Sequence, residues 1–197
     1  WILWSTAALV FIVAPHVFTG GFALTMMTQM GTMIIFALSY NMLLGQGGML
    51  SFGHAVYSGL GAYITVHALN LVGKGALSIP LPLLPLVGGA AGLAFGVLFG
   101  YVTTRRAGVT FALISLGVGE MVFACVLMFP GFFGGEAGVS TNRVVGQPFL
   151  GVSFGPAIQV YYLVAFWCFA CMAAMFALTQ TPLGRMANAV RDNPERA

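Results

Sequence analysis

NMLLGQGGMLSFGHAVYSGLGAY, residues 41–63, sets Asn41, Gln46, Ser51, His54 and a run of glycines into a chain that is otherwise apolar. Gly45, Gly47 and Gly48 permit backbone conformations closed to other residues, while the four polar side chains offer donors and acceptors. Loosened backbone at membrane depth is tolerated only inside protein or beside a water-filled path. Two readings of the stretch follow from its residues alone. It is a hinge or path-lining element joining two spans, or it is a turn at the level of the lipid headgroups.

The rest of the chain fixes the class. It has 197 residues, is 59% hydrophobic and 6% charged, and has a mean hydropathy of +0.98, far from the composition of an ordinary soluble domain. The expected fold is an all-α integral membrane protein. A span needs ~20 mostly apolar residues, and about six segments qualify, at 1–18, 22–44, 52–71, 83–102, 109–129 and 160–178. Residues 1–179 are expected to form the transmembrane bundle and 180–197 a separate cytoplasmic region. The net charge of +3 rests on too few groups to imply a nucleic-acid partner. No charged segment leads into a short apolar run with a small-residue cleavage site, so no signal peptide is expected at the first residue, Trp1.

The positions of the charges set the orientation. Arg105 and Arg106 join the fourth and fifth spans, and Arg185, Arg191 and Arg196 follow the sixth; only Lys74 and Arg143 fall on the other side. Basic residues near span ends stay cytoplasmic. The N-terminus and the C-terminal region are therefore predicted inside, and the glycine-rich connection at 131–159 outside.

Gly88, Gly92, Gly96 and Gly100 recur every four residues along the fourth span. Each costs ~1 kcal/mol of helix propensity relative to alanine, so this bare ridge is read as a surface for close helix packing. Gly59 and Gly61 are expected to let the third span pack closely.

Glu120 lies midway along the fifth span in LGVGEMVFAC. A carboxylate at that depth should face the bundle interior, be protonated or have a partner. A gate, a helix clamp, a cargo contact and a structural carboxyl remain open for it. His16 and His67 fall near span ends, where interfacial placement is expected. Cys168 and Cys171 spell CxxC within an apolar run; with no second ligand pair they read as small packing side chains and not a metal site. No Walker A, HExxH or GxSxG motif occurs, so neither catalysis nor a cofactor is expected in this chain. If ATP drives it, another chain holds the ATP.

The C-terminal TPLGRMANAVRDNPERA reads as a short amphipathic helix. Thr181 can cap it and Pro182 suits its first position. Leu183, Met186, Ala187 and Val190 follow helical spacing, with Arg185, Asn188, Arg191 and Asp192 elsewhere on the wheel. Such a helix lies on a membrane surface or fills a groove on a soluble partner.

Two stretches together carry a family resemblance. ALSYNMLLGQGGMLSFGHAVYSGLGAY resembles the glycine-rich signature of permease subunits of branched-chain amino acid ABC importers, and TPLGRMANAVRDNPERA resembles their cytoplasmic coupling loop. RRAGVTFALISLGVGEMVF and GGEAGVSTNR are similar to segments of the M-type subunit. The resemblance implies a bacterial inner-membrane permease that works with a homologous permease, two cytoplasmic ATPase subunits and a periplasmic solute-binding protein. Its cargo would be branched-chain amino acids or similar small polar solutes. It also implies that Gly184, Arg185, Ala187, Arg191 and Asp192 belong to a loop docking on an ATPase, and that Glu120 occupies an acidic LxxGE position. Members continue past this loop with further membrane helices, so the chain is expected to be the N-terminal portion of a larger permease. The competing reading is an autonomous channel or secondary carrier with an interfacial C-terminal helix.

Overall fold

The computed structural model describes residues 2–144 and 152–192. Its main elements are α1 (Ile2–Val17), α2 (Gly21–Asn41), α3 (His54–Gly73), α4 (Leu84–Thr103), α5 (Gly108–Met128), the single turn α6 (Pro130–Phe133), α7 (Ala157–Gln180) and α8 (Pro182–Asp192). A π-helical turn, Met42–Gln46, prolongs α2, and a 3-10 turn, Leu81–Leu83, leads into α4. Among the described residues, five helices are long and apolar enough to cross a membrane: Gly21–Gln46, His54–Gly73, Leu81–Thr103, Gly108–Met128 and Ala157–Gln180. They match five of the six expected spans to within a few residues; the remaining one is the shorter apolar α1. Part of the expected 131–159 connection, residues 145–151, lies outside the described residues.

Two compact units divide the chain at Gly48 and Val152. The first holds α1, α2 with its π turn, α7 and α8; the second holds α3 to α6.

In the first unit α7 packs along α2. A Cβ added at Gly31 would come within 2.8 Å of Val164 Cγ1, so the absent side chain sets how closely the two helices approach. Leu24, Tyr161 and Ala165 form the buried centre, with Phe11 and Met27 against it. Pro15 interrupts α1 and is fully buried. Lacking an N–H, a proline leaves the carbonyl four residues earlier without its helical donor. That carbonyl belongs to Phe11, and the Tyr161 hydroxyl of α7 donates to it at 2.9 Å. Beside it the Tyr162 hydroxyl donates to the Ile12 carbonyl at 3.3 Å and lies 3.1 Å from His16 Nε2. His16 is thus a partner of α7. Trp4 adds edge-on contacts to Phe169 and Phe176 of the same helix.

In the second unit α3 and α4 run antiparallel at near backbone contact. A Cβ at Gly61 would lie 2.7 Å from the Gly88 carbonyl oxygen, and one at Gly92 3.4 Å from the Tyr57 carbonyl oxygen. A Cβ at Gly88 would collide with Thr65 Oγ1, which itself donates to the Gly61 carbonyl at 2.8 Å. Only part of the expected glycine ridge is used here: Gly96 and Gly100 have no described neighbour within 4 Å of a Cβ position, and neither has Gly59. Tyr57 stands opposite Gly92, so α3, which begins at His54, starts level with about residue 95 and has no backbone beside the last turns of α4. At its other end α3 meets α6, where His67 Nε2 is 2.7 Å from the Phe132 carbonyl oxygen and Tyr63 packs edge-on against Phe133.

Cys168 is buried, Cys171 half-buried, and both are free thiols.

Two stability predictions follow from these contacts. Tyr161→Phe strips the donor from the Phe11 carbonyl and should destabilise the purified chain by ~1–3 kcal/mol in detergent thermal unfolding; the same change in a Pro15→Ala background, where the helix supplies its own N–H, should cost clearly less. Gly61→Ala, which drives a Cβ into backbone, should lower the unfolding midpoint, whereas Gly96→Ala and Gly100→Ala should leave it unchanged or raise it, through up to ~1 kcal/mol of added helix propensity.

Candidate functional site

The path or hinge residues expected from sequence fall in both units. Asn41, Gly45, Gln46, Gly47 and Gly48 belong to the first, and Ser51, His54 and Glu120 to the second.

In the first unit, α2 does not stop at Asn41 but changes register. Residues Met42–Gln46 form a π turn, Gly47 N–H bonds the Met42 carbonyl at 3.2 Å and Gly48 N–H the Leu44 carbonyl at 3.0 Å. Single π turns within helices are uncommon and concentrate at functional sites. Gly45 sits against the Asn41 side chain, 2.5 Å from Oδ1 to a Cβ position, so the bare glycine is what lets Asn41 fold back on the turn. Gly48 then takes a left-handed conformation, φ +65°, that glycine adopts at little cost.

In the second unit, residues 50–53 are non-helical and pass over α5. Phe52 N–H donates to Ser115 Oγ at 3.0 Å, and Ser115 Oγ donates to the Ala112 carbonyl at 2.7 Å. Gly53 presses directly on the Ser115 carbonyl, where any Cβ would clash with backbone, and its Cα lies 3.9 Å from a Cβ position on Gly119. Ser51 and Ser115 are buried. Ser115 lies seven residues, roughly 10 Å, along α5 from Gly108. The register on α4 agrees: about eight residues, roughly 12 Å, separate the start of α3 from Thr103. Helix α3 therefore begins about 10–12 Å along α4 and α5 from their Arg105 and Arg106 ends. Ser115 escaped the sequence analysis; the available signal was a hydroxyl in an apolar span that had no need of it.

His54 opens α3 and is half-buried, its ring 6.2 Å from that of Tyr57. Glu120 follows Gly119 and is exposed. Of the alternatives open for it, facing the interior of its own unit is therefore not what the described residues show.

The C-terminal helix turns out differently from its wheel. Thr181 Oγ1 accepts Gly184 N–H at 3.4 Å, as the expected cap should. Gly184 is buried on the end of α7, with a Cβ position 2.5 Å from the Leu178 carbonyl oxygen and 2.8 Å from Thr179 Cα. Gly184, Ala187, Asn188 and Arg191 make up the face turned to its own unit, while Leu183, Met186 and Val190 are 68%, 66% and 50% exposed. Arg185 is exposed; the Asp192 side chain lies outside the described residues. Arg191 Nη1 donates to the Gly45 carbonyl of the π turn. Among the described residues no group of three or more His, Cys, Asp or Glu could hold a metal ion.

Comparison with known proteins gives these features a family. Residues 22–197 match the family described as branched-chain amino acid transport system / permease component. The chain is 29% identical over 181 residues to the high-affinity branched-chain amino acid transport system permease protein LivM of Salmonella typhimurium strain LT2. It is 28% identical over the same length to the protein of that name from Escherichia coli K12. Each alignment covers 81% of this chain and 41% of the relative, so the chain spans about two fifths of the relatives it matches. No solved structure matches it. With the family match running over nearly all of its spans and its amphipathic tail, the chain belongs to the permease components of branched-chain amino acid transport systems.

Proposed function

We propose that the chain acts as the transmembrane permease subunit of an ATP-driven importer for branched-chain amino acids or similar small polar solutes. It works in the bacterial inner membrane with a homologous permease, two cytoplasmic ATPase subunits and a periplasmic solute-binding protein. Its N-terminus and α8 lie on the cytoplasmic side. The observation that carries the coupling part of this reading is the outward apolar stripe of α8. Leu183, Met186 and Val190 are exposed although the helix already packs through its other face, as expected of a helix that fits a groove on a second protein. An ATPase subunit is the partner the family match favours.

In this reading nucleotide-driven closure of the ATPases displaces α8, and the non-helical backbone at 50–53 is where the route opens and shuts. Helices broken at membrane depth beside protein backing are the usual place for a transporter's moving and binding elements. The resting contact is already satisfied, Phe52 N–H on Ser115 Oγ, so the break is a defined state and not a frayed end.

Leu183→Glu with Met186→Glu should reduce co-purification of the ATPase subunits at least tenfold and abolish ATP-dependent uptake in proteoliposomes. Undiminished uptake, or solute flux through the chain alone in liposomes without ATPase, would favour a self-sufficient channel or carrier instead. Gly53→Val, which forces the break away from Ser115, should leave ATPase binding intact but slow uptake by an order of magnitude or more.

A further inference from the structure

We infer that Arg191 is an internal tie that fastens the far end of α8 to the π turn of α2, so that any displacement of α8 reaches that turn through this side chain. The tie is built from three features of one unit. At its N-terminal end α8 is fixed to α7: Gly184 sits flush on the Leu178 and Thr179 backbone, and the hydroxyl of its cap Thr181 donates to the Leu178 carbonyl at 2.6 Å. At its other end the Arg191 stem crosses Gly48, where a Cβ would lie only 2.6 Å from Arg191 Cγ. Beyond the stem the guanidinium donates to the Gly45 carbonyl. Helix α7 in turn lies against α2 through Val164 on Gly31. Helices α2, α7 and α8 thus close a triangle, and Arg191 is its third corner.

Two details make the corner specific. The Gly45 carbonyl belongs to the last turn of a helix, whose carbonyls lack intrahelical donors, and the guanidinium is a fixed cationic fork suited to such an acceptor. Gly48 has both the left-handed backbone and the bare Cα that let the arginine stem pass. The positions that the sequence made a hinge, Gly45 and Gly48, and one that it made a partner contact, Arg191, are therefore parts of one joint. Arg191 acts as a positioning residue, and the exposed Leu183, Met186 and Val190 remain the surface a partner would press. The consequence for transport rests on the permease reading above; the tie itself does not.

The test is amide hydrogen exchange on the full chain in lipid nanodiscs, read at Gly47 and Gly48, whose N–H groups close the π turn. Arg191→Ala should speed exchange there about tenfold, the scale of one lost charge-assisted hydrogen bond, and Arg185→Ala should leave it unchanged. Should Arg191→Ala not fold, Arg191→Lys is read instead, with a smaller rise expected. Equal exchange in wild type and variant overturns the tie. Faster exchange in Arg191→Ala together with undiminished ATPase co-purification supports it in full. Faster exchange in a chain whose wild type binds no ATPase leaves the tie standing and removes the importer reading instead.

Discussion

Lipid offers no hydrogen bonds, so every backbone group that leaves a helix within the membrane must be met by the protein. At three places among the described residues, a side chain from another helix meets a backbone group that lacks a helical partner. The Tyr161 hydroxyl of α7 serves the Phe11 carbonyl freed by Pro15. Ser115 of α5 serves the N–H of Phe52 ahead of α3, and Arg191 of α8 serves the Gly45 carbonyl at the end of α2. These bonds join elements far apart in sequence, so they hold the bundle together where apolar side chains, equally at home in lipid, contribute little net attraction.

Glycine does the complementary task. Where side chains would hold helices apart, Gly31, Gly61 and Gly88 bring backbones or short side chains into contact, and close contact maximises the van der Waals attraction that remains when hydrophobic burial does not discriminate protein from lipid. Gly53 and Gly184 do the same at joints, where an irregular segment or a helix turn lies directly on another helix. Substitution at these positions moves helices, whereas substitution at Gly96 or Gly100 adds only helix propensity. The large exposed side chains along α1, α4 and α5, such as Leu9, Leu93 and Phe123, are what a lipid-facing or subunit-facing surface requires.

The two devices meet in one segment of the sequence. The π turn, the left-handed Gly48 and the non-helical run to Gly53 form one continuous stretch of departures from helix. It is fastened within one unit to the amphipathic helix and packed within the other against mid-α5. Were a soluble partner to press on α8, the tie proposed above would carry that displacement to the π turn. Glu120 lies on the same α5 as Ser115 and is exposed, whereas Ser115 is buried.

The sequence by itself determined the class and the element order. Apolar runs of span length, separated by prolines and arginines, admit only transmembrane helices, and the glycines at 45, 47 and 48 announced a departure from helix because no other residue needs so little reason to depart. The amphipathic tail was equally legible, since its period is local. Tertiary structure alone decided which face of that tail points inward: periodicity locates an apolar stripe but not its partner, and here Gly184 and Arg191 face the unit while Leu183 and Met186 face out. It likewise decided that half the glycine ridge has no close neighbour among the described residues, because that depends on where α3 begins relative to α4. Where residues 50–53 lie along α5 was undecidable from residues 41–63 alone, since it is a relation between helices, fixed here by Phe52 on Ser115.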